Sequence, residues 1–152
     1  MKVLIVENNP SELIRAGAVV RSKKWNCLVC DTGSIDPENP RSRWDWIRMI
    51  DEVDVVVTDL MWDHSDHGEK PMGLLVALHA LSRNKPVVIC TDAGQRDKGH
   101  HGEAISFIYD GYISFLRDAD CAIGFEEDKD WSRAMDEAAK RHARKQGDSS
   151  LS

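Results

Sequence analysis

The 152-residue sequence has no apolar run approaching the roughly 18 residues that a membrane-spanning helix requires. Its opening, MKVLIVENN, places one lysine before a short β-like run. It lacks the longer apolar stretch and small-residue cleavage site of a signal peptide, so a cytoplasmic protein without membrane contact is expected. Basic surface is also scarce. A net charge of −6 leaves no footprint for nucleic acid. The one basic cluster, Lys140, Arg141, Arg144 and Lys145, falls near the end of an expected helix, where cations suit the helix dipole. The four cysteines (Cys27, Cys30, Cys90 and Cys121) lie in or beside expected strands and read as buried free thiols of a reducing compartment. Cys27 and Cys30 form a CxxC, but Leu28 and Val29 between them are strand residues rather than those of a tight metal or redox loop. No GxGxxG or P-loop follows any strand, which removes the common nucleotide-binding signatures. There are no internal repeats and no linker.

What is present is an alternation of strands and helices. Apolar residues make up 41% and charged residues 30%, ordinary for one globular domain with one core. Lys2 to Val6 (KVLIV) is a continuous apolar run, as in a parallel strand covered on both faces. Asn9, Pro10 and Glu12 then supply a cap, a first-turn proline and a capping box for a helix to about Lys24, with Leu13, Ile14, Gly17, Ala18 and Val20 facing inward. Cys27–Cys30 is the second strand. A turn-rich loop over 31–39 precedes a helix over 40–50 with Trp44, Ile47 and Ile50 at helical spacing. DVVVTDL, Asp54 to Leu60, is the third strand. A polar stretch over 62–72 leads to a helix over Gly73–Ser82, and PVVICT, Pro86 to Thr91, is the fourth strand.

Residues 104–116 place Ile105, Ile108, Tyr112, Phe115 and Leu116 on one helical face. CAIGF, Cys121 to Phe125, is the fifth strand, and 128–145 the last helix, with Trp131, Met135 and Ala138 or Ala139 inward. The expected architecture is a flavodoxin-like, doubly wound α/β fold, (βα)5, on a five-stranded parallel sheet over residues 1–146, with 147–152 a disordered tail. Ligands of such sheets bind at the carboxyl ends of the strands, which singles out Glu7, Asn8, Asp59, Thr91 and Phe125.

At those strand ends the sequence resembles the response-regulator receiver family. KVLIVENNP is similar to that family's first strand, which ends in an acidic pair. DVVVTDLMW is similar to the third, which ends in the phosphorylated aspartate, and PVVICTDAG to the fourth, which ends in a hydroxyl residue before a small one. The three motifs occur in order at roughly the family's spacing, and the resemblance covers most of the chain. The resemblance implies Asp59 as phosphoacceptor and Thr91 as switch hydroxyl. It also implies Mg2+ as a cofactor at Glu7, Asn8 and Asp59, where the ion would neutralise phosphoryl charge. Trp62, three residues past Asp59, is expected in the loop beside the site.

Two departures stand out. The second member of the acidic pair is Asn8, whose carbonyl can ligate but brings no charge, so Mg2+ binding is expected to be weak. The family's fifth strand ends in a lysine, and here CAIGF puts Phe125 at that position while DGYISF would put Phe115 there. The first register is preferred because the last helix follows it directly; it sets Ala122 at the aromatic switch position, the second sets Tyr112. Both leave the lysine missing. The Gly73-Leu74-Leu75 motif also comes late, after an insert bearing Asp63, His64, Asp66 and His67, which with His100 and His101 form a candidate metal cluster. The resulting expectation is a non-enzymatic, single-domain signalling protein of the two-component type. It would work through a histidine kinase or other signalling protein, a downstream output protein, or a homodimer. The alternative is a phosphorylation-independent pseudo-receiver acting purely as a binding module.

Overall fold

A computed structural model describes residues 1–33, 38–39, 41–60, 62–63, 69–91, 121–125 and 129–150. Strand β1 (Lys2–Glu7) leads to helix α1 (Pro10–Ser22) and strand β2 (Asn26–Asp31). A short helix α2 (Trp46–Met49), flanked by 3-10 turns Ser42–Trp44 and Ile50–Glu52, precedes β3 (Val55–Thr58). A two-stranded antiparallel ribbon of β4 (Trp62–Asp63) and β5 (Glu69–Lys70) follows, then α3 (Gly73–Ser82), β6 (Val87–Thr91), β7 (Cys121–Phe125) and α4 (Trp131–Ser150). The main sheet is five-stranded and all parallel, in the order β2-β1-β3-β6-β7. This is the expected doubly wound flavodoxin-like α/β fold, with CAIGF as the fifth strand in the preferred register and Phe125 beside Thr91.

The continuous apolar strands are explained by burial on both faces. Along β1, β3 and β6 alternate residues divide into two cores. Val3, Ile5, Val55, Val57, Val88 and Cys90 pack under α1 and α4 with Ala16, Val20, Trp131 and Met135. Leu4, Val6, Val56, Val87 and Ile89 pack under α2 and α3 with Trp46, Ile50, Val76 and Ala80. The period-2 alternation of strand side chains thus decides which helix layer each residue meets.

Several local expectations change. The inward face of α1 is Leu13, Ala16, Gly17 and Val20, and Ile14 is 69% exposed. The i, i+3, i+4, i+7 set starting at Leu13 is the stripe that meets the sheet, and Ile14 and Ala18 fall outside it. The helix expected over 40–50 is broken into short turns, because the buried anchor is Trp46, edge-on to His79 of α3, while Trp44 and Ile47 only flank that core. Trp62 is 2% exposed inside the α2–α3 core, not in an open loop, because the β4–β5 ribbon folds it inward.

Cys30 and Cys90 are buried, but Cys27 is exposed because β2 is an edge strand. Helix α4 continues to Ser150, into the expected tail. A single glycine, Gly147, costs only about 1 kcal/mol once a helix is nucleated. The helix expected over 104–116, with Tyr112 and Phe115, and the histidines 64, 67, 100 and 101 with Asp66 all lie outside the described residues. No helix among the described residues is long and apolar enough to cross a membrane.

Candidate functional site

The carboxyl ends of β1 and β3 are adjacent in the sheet, and the same alternation aims Glu7 and Asp59 toward the α1–α4 layer. Backbone ties fix both ends. The Asp59 N–H donates to the Val6 carbonyl at 2.8 Å, and the Thr32 N–H donates to the Glu7 carbonyl at 3.0 Å. The Thr58 hydroxyl donates to the Asp59 carbonyl at 2.8 Å. Glu7 and Asp59 are 0% and 3% exposed, so each carboxylate needs a partner inside the protein.

That partner is Lys129. Asp130 caps α4: its side chain accepts the Arg133 N–H at 2.9 Å, and its carbonyl accepts the Ala134 N–H at 3.0 Å. Lys129 therefore sits one residue before the cap, with its side chain turned back under the sheet end. Its Nζ lies 2.6 Å from Glu7 Oε2 and 3.1 Å from Asp59 Oδ2. The remaining carboxylate oxygens are also engaged. Glu7 Oε1 accepts the Asn8 and Asn9 N–H groups, both at 3.0 Å, and Asp59 Oδ1 accepts the Leu60 N–H at 2.8 Å. Helix α1 holds the Lys129 segment in place: Arg15 Nη2 donates to the Lys129 carbonyl at 3.0 Å. The Trp131 indole donates to Glu12 Oε2 at 2.6 Å, and Glu12 Oε1 pairs with Arg15 at 2.8 Å.

The electrostatics follow from burial of two acids around one base. Desolvation, then the neighbouring Glu7 charge, push the Asp59 carboxyl up to about 7; Lys129 and the Leu60 amide oppose this without cancelling it. Burial by itself would lower the Lys129 ammonium, but Asp59 and Glu7 together outweigh it, so its pKa is raised above 10.5 and the charge is retained. Cys90, near the end of β6, is close enough to register these charges. Its thiol is pushed up to about 12, first by burial, with Lys129 opposing and Asp59, Glu7 and Glu12 adding. It is a packing residue, not a nucleophile.

The sequence reading of a missing lysine is therefore corrected. Phe125 does end the fifth strand, but the ammonium arrives from four residues further on, at the entrance of α4. A long flexible side chain removes the need for the charge to sit at the strand end itself. The available signal was Asp128-Lys129-Asp130, a lysine between acids directly before a helix start.

Thr91 is buried at the end of β6, in the alternation that sends Val87 and Ile89 toward α2 and α3. Asn8 is half-buried beside Glu7, and its carbonyl is packed closely by the turn at Gly33, where a Cβ would come within 2.2 Å of it. Glu7, Asn8 and Asp59 offer the hard oxygen donors that Mg2+ prefers. As arranged they do not fit the ion, because the Lys129 ammonium already bridges the two carboxylates.

Gly73, the first residue of α3, packs directly on the end of β3 that carries Asp59. Its N–H donates to the Leu60 carbonyl at 2.9 Å, and a Cβ there would fall 2.0 Å from the Asp59 carbonyl oxygen. Gly73→Ala is therefore expected to displace the Asp59 backbone and destabilise the fold by about 1–3 kcal/mol. Urea unfolding measures this, and an unchanged midpoint would contradict the packing described.

No family model matches the chain, and no curated protein does. Solved structures with the same fold do. A response regulator receiver domain protein from Clostridium thermocellum superposes with a TM-score of 0.60 at 14% identity, covering 95% of this chain and 96% of that one. A receiver protein from Sinorhizobium medicae gives 0.61 at 16% identity, covering 94% of each. The receiver domain of a sensor histidine kinase from Pseudomonas aeruginosa, with a magnesium ion coordinated in its active-site cleft, gives 0.57 at 13% identity over 93% of this chain and 97% of that one. The chain has the fold of response-regulator receiver domains.

Proposed function

We propose that this chain is a receiver-type signalling module of the two-component kind, with a phosphoryl group on Asp59 as its input and protein contacts as its output. One observation carries this reading: a carboxylate at the carboxyl end of the central strand is ion-paired to a lysine at the entrance of the last helix. In the transfer, an Asp59 carboxylate oxygen attacks the phosphorus of a phosphohistidine on a histidine kinase, or of acetyl phosphate. The new O–P bond replaces the donor's P–N or P–O bond, and imidazole or acetate leaves. The acyl phosphate adds negative charge in a buried setting, and Lys129 follows it by moving from the carboxylate to a phosphoryl oxygen. The candidate switch hydroxyl, Thr91, ends the neighbouring strand β6 in the alternation that faces α2 and α3, and it would have to turn round the strand end to reach the modified group. Through the Lys129 carbonyl and Trp131, that movement is felt by Arg15 and Glu12 of α1, so the downstream partner, an output protein or a second copy of the chain, reads a changed surface.

A second reading has its own support. Asp59 is 3% exposed and both its carboxylate oxygens are already engaged, as expected of a phosphorylation-independent pseudo-receiver that binds its partner in one fixed state. Intact mass after incubation with acetyl phosphate, in Mg2+ and separately in EDTA, separates the two. A single phosphoryl adduct that Asp59→Asn abolishes is the expected outcome. Absence of an adduct under both conditions would establish the pseudo-receiver.

A further inference from the structure

We propose that the Lys129 ammonium is the resident cation of this site: it occupies the place between Glu7 and Asp59 that a divalent ion would need, so the wild-type protein does not bind Mg2+ or Mn2+ there, and removing the ammonium opens the site to them. The geometry is that of a counter-ion held in a cage. One nitrogen bridges an oxygen of each carboxylate at 2.6 and 3.1 Å, and its side chain is 1% exposed. The other two carboxylate oxygens are oriented away from it by three backbone N–H groups, from Asn8, Asn9 and Leu60.

The charge balance points the same way. Glu7 and Asp59 bring at most two negative charges and Lys129 one positive, so at most one negative charge remains to attract a metal; Asn8, next in the chain, adds none. A divalent ion ligated by the same two oxygens would lie within a few ångströms of the ammonium, where like charges in a buried site repel strongly. The ammonium would have to leave first. Among the described residues Glu7 and Asp59 are its only acidic partners, and its backbone is tied down by Arg15. Dehydrating a divalent ion to displace a cation already in place is unfavourable, whereas filling a two-carboxylate pocket emptied of its lysine is favourable.

The inference rests on the proposed function only for the choice of site, and its test does not involve phosphate. Free Mn2+ is titrated into the full chain and followed by its electron paramagnetic resonance signal, for wild type, Lys129→Met, and Lys129→Met with Asp59→Asn. Wild type is expected to leave Mn2+ free. Lys129→Met should bind one ion at least about tenfold more tightly, and the added Asp59→Asn should reverse this. Mn2+ bound by wild type at a site that Asp59→Asn removes would overturn the proposal, as would a folded Lys129→Met that leaves Mn2+ free. A Lys129→Met that is unfolded in EDTA and refolds on adding Mn2+ supports it through linkage. Should that variant stay unfolded, wild type and Asp59→Asn decide: Mn2+ that wild type binds and Asp59→Asn does not refutes the proposal, and equal Mn2+ signals for the two uphold it. A phosphoryl adduct that fails to form bears on the proposed function and leaves the Mn2+ result standing.

Discussion

Lys129→Ala is expected to destabilise the fold by about 3–5 kcal/mol at neutral pH, the range for removing one partner of a buried ion pair and leaving the other charge uncompensated. Here two carboxylates, 0% and 3% exposed, would lose their shared cation. Denaturant unfolding measures the loss. The Lys129 pKa is raised, so its stabilisation is fully present below 10.5 and is lost only as pH rises through the still higher folded value. Across the neutral range the loss on substitution is therefore the loss of a full charge. A double-mutant cycle with Asp59→Asn sharpens the test: once one of the two acids is neutral, the cost of losing Lys129 should fall, giving clear non-additivity. Additive effects would mean that the two side chains do not interact as described.

Asp59→Asn is expected to stabilise the protein, and to do so in a pH-dependent way. The folded-state carboxyl has a pKa of about 7 against 3.8 for the ordinary group, so the folded state favours its protonated form. The stability associated with that proton is fully present below about pH 3.8, declines as pH rises, and is lost above about pH 7. About three pKa units at 1.36 kcal/mol each set a ceiling near 4 kcal/mol for the relief that a neutral side chain provides. The lost contact to Lys129 reduces it. The gain in melting temperature over wild type should be small near pH 4 and largest at pH 8. A destabilised Asp59→Asn at pH 8 would show that the ion pair outweighs the burial of the second charge. The penalty, set by burial and the Glu7 charge, fits the proposed role of Asp59.

The strand cores could be read from the sequence because they are local. KVLIV, DVVVT, PVVIC and CAIGF are short apolar runs of β-forming residues bounded by polar residues, the composition expected of strands in a covered parallel sheet. Helix α1 carried its own start signal in Asn9-Pro10, and the Asn9 side chain does accept the Ser11 N–H at 3.0 Å. Glu7 and Asp59 were legible as strand-end acids, since each closes a short apolar run that reads as a parallel strand.

Three features were decided only by the tertiary structure. Which of Trp44, Trp46 and Trp62 enters the core depends on how α2 and the β4–β5 ribbon meet α3, not on spacing within a segment too short to set a helical face. The exposure of Cys27 depends on β2 being an edge strand, a property of sheet order that no local pattern encodes. The lysine is the clearest case. Sequence comparison by strand register looks for a charge at one position, whereas a buried carboxylate pair selects any cation whose flexible stem reaches it. The cap at Asp130 and the clamp from Arg15 place Lys129 within that reach from a different element. The sequence by itself determined the layers, the strands and the acids at their ends. Only the folded chain decided that the counter-ion between those acids is an ammonium from the entrance of the last helix, because ion pairing is set by distance in space rather than by position in the chain.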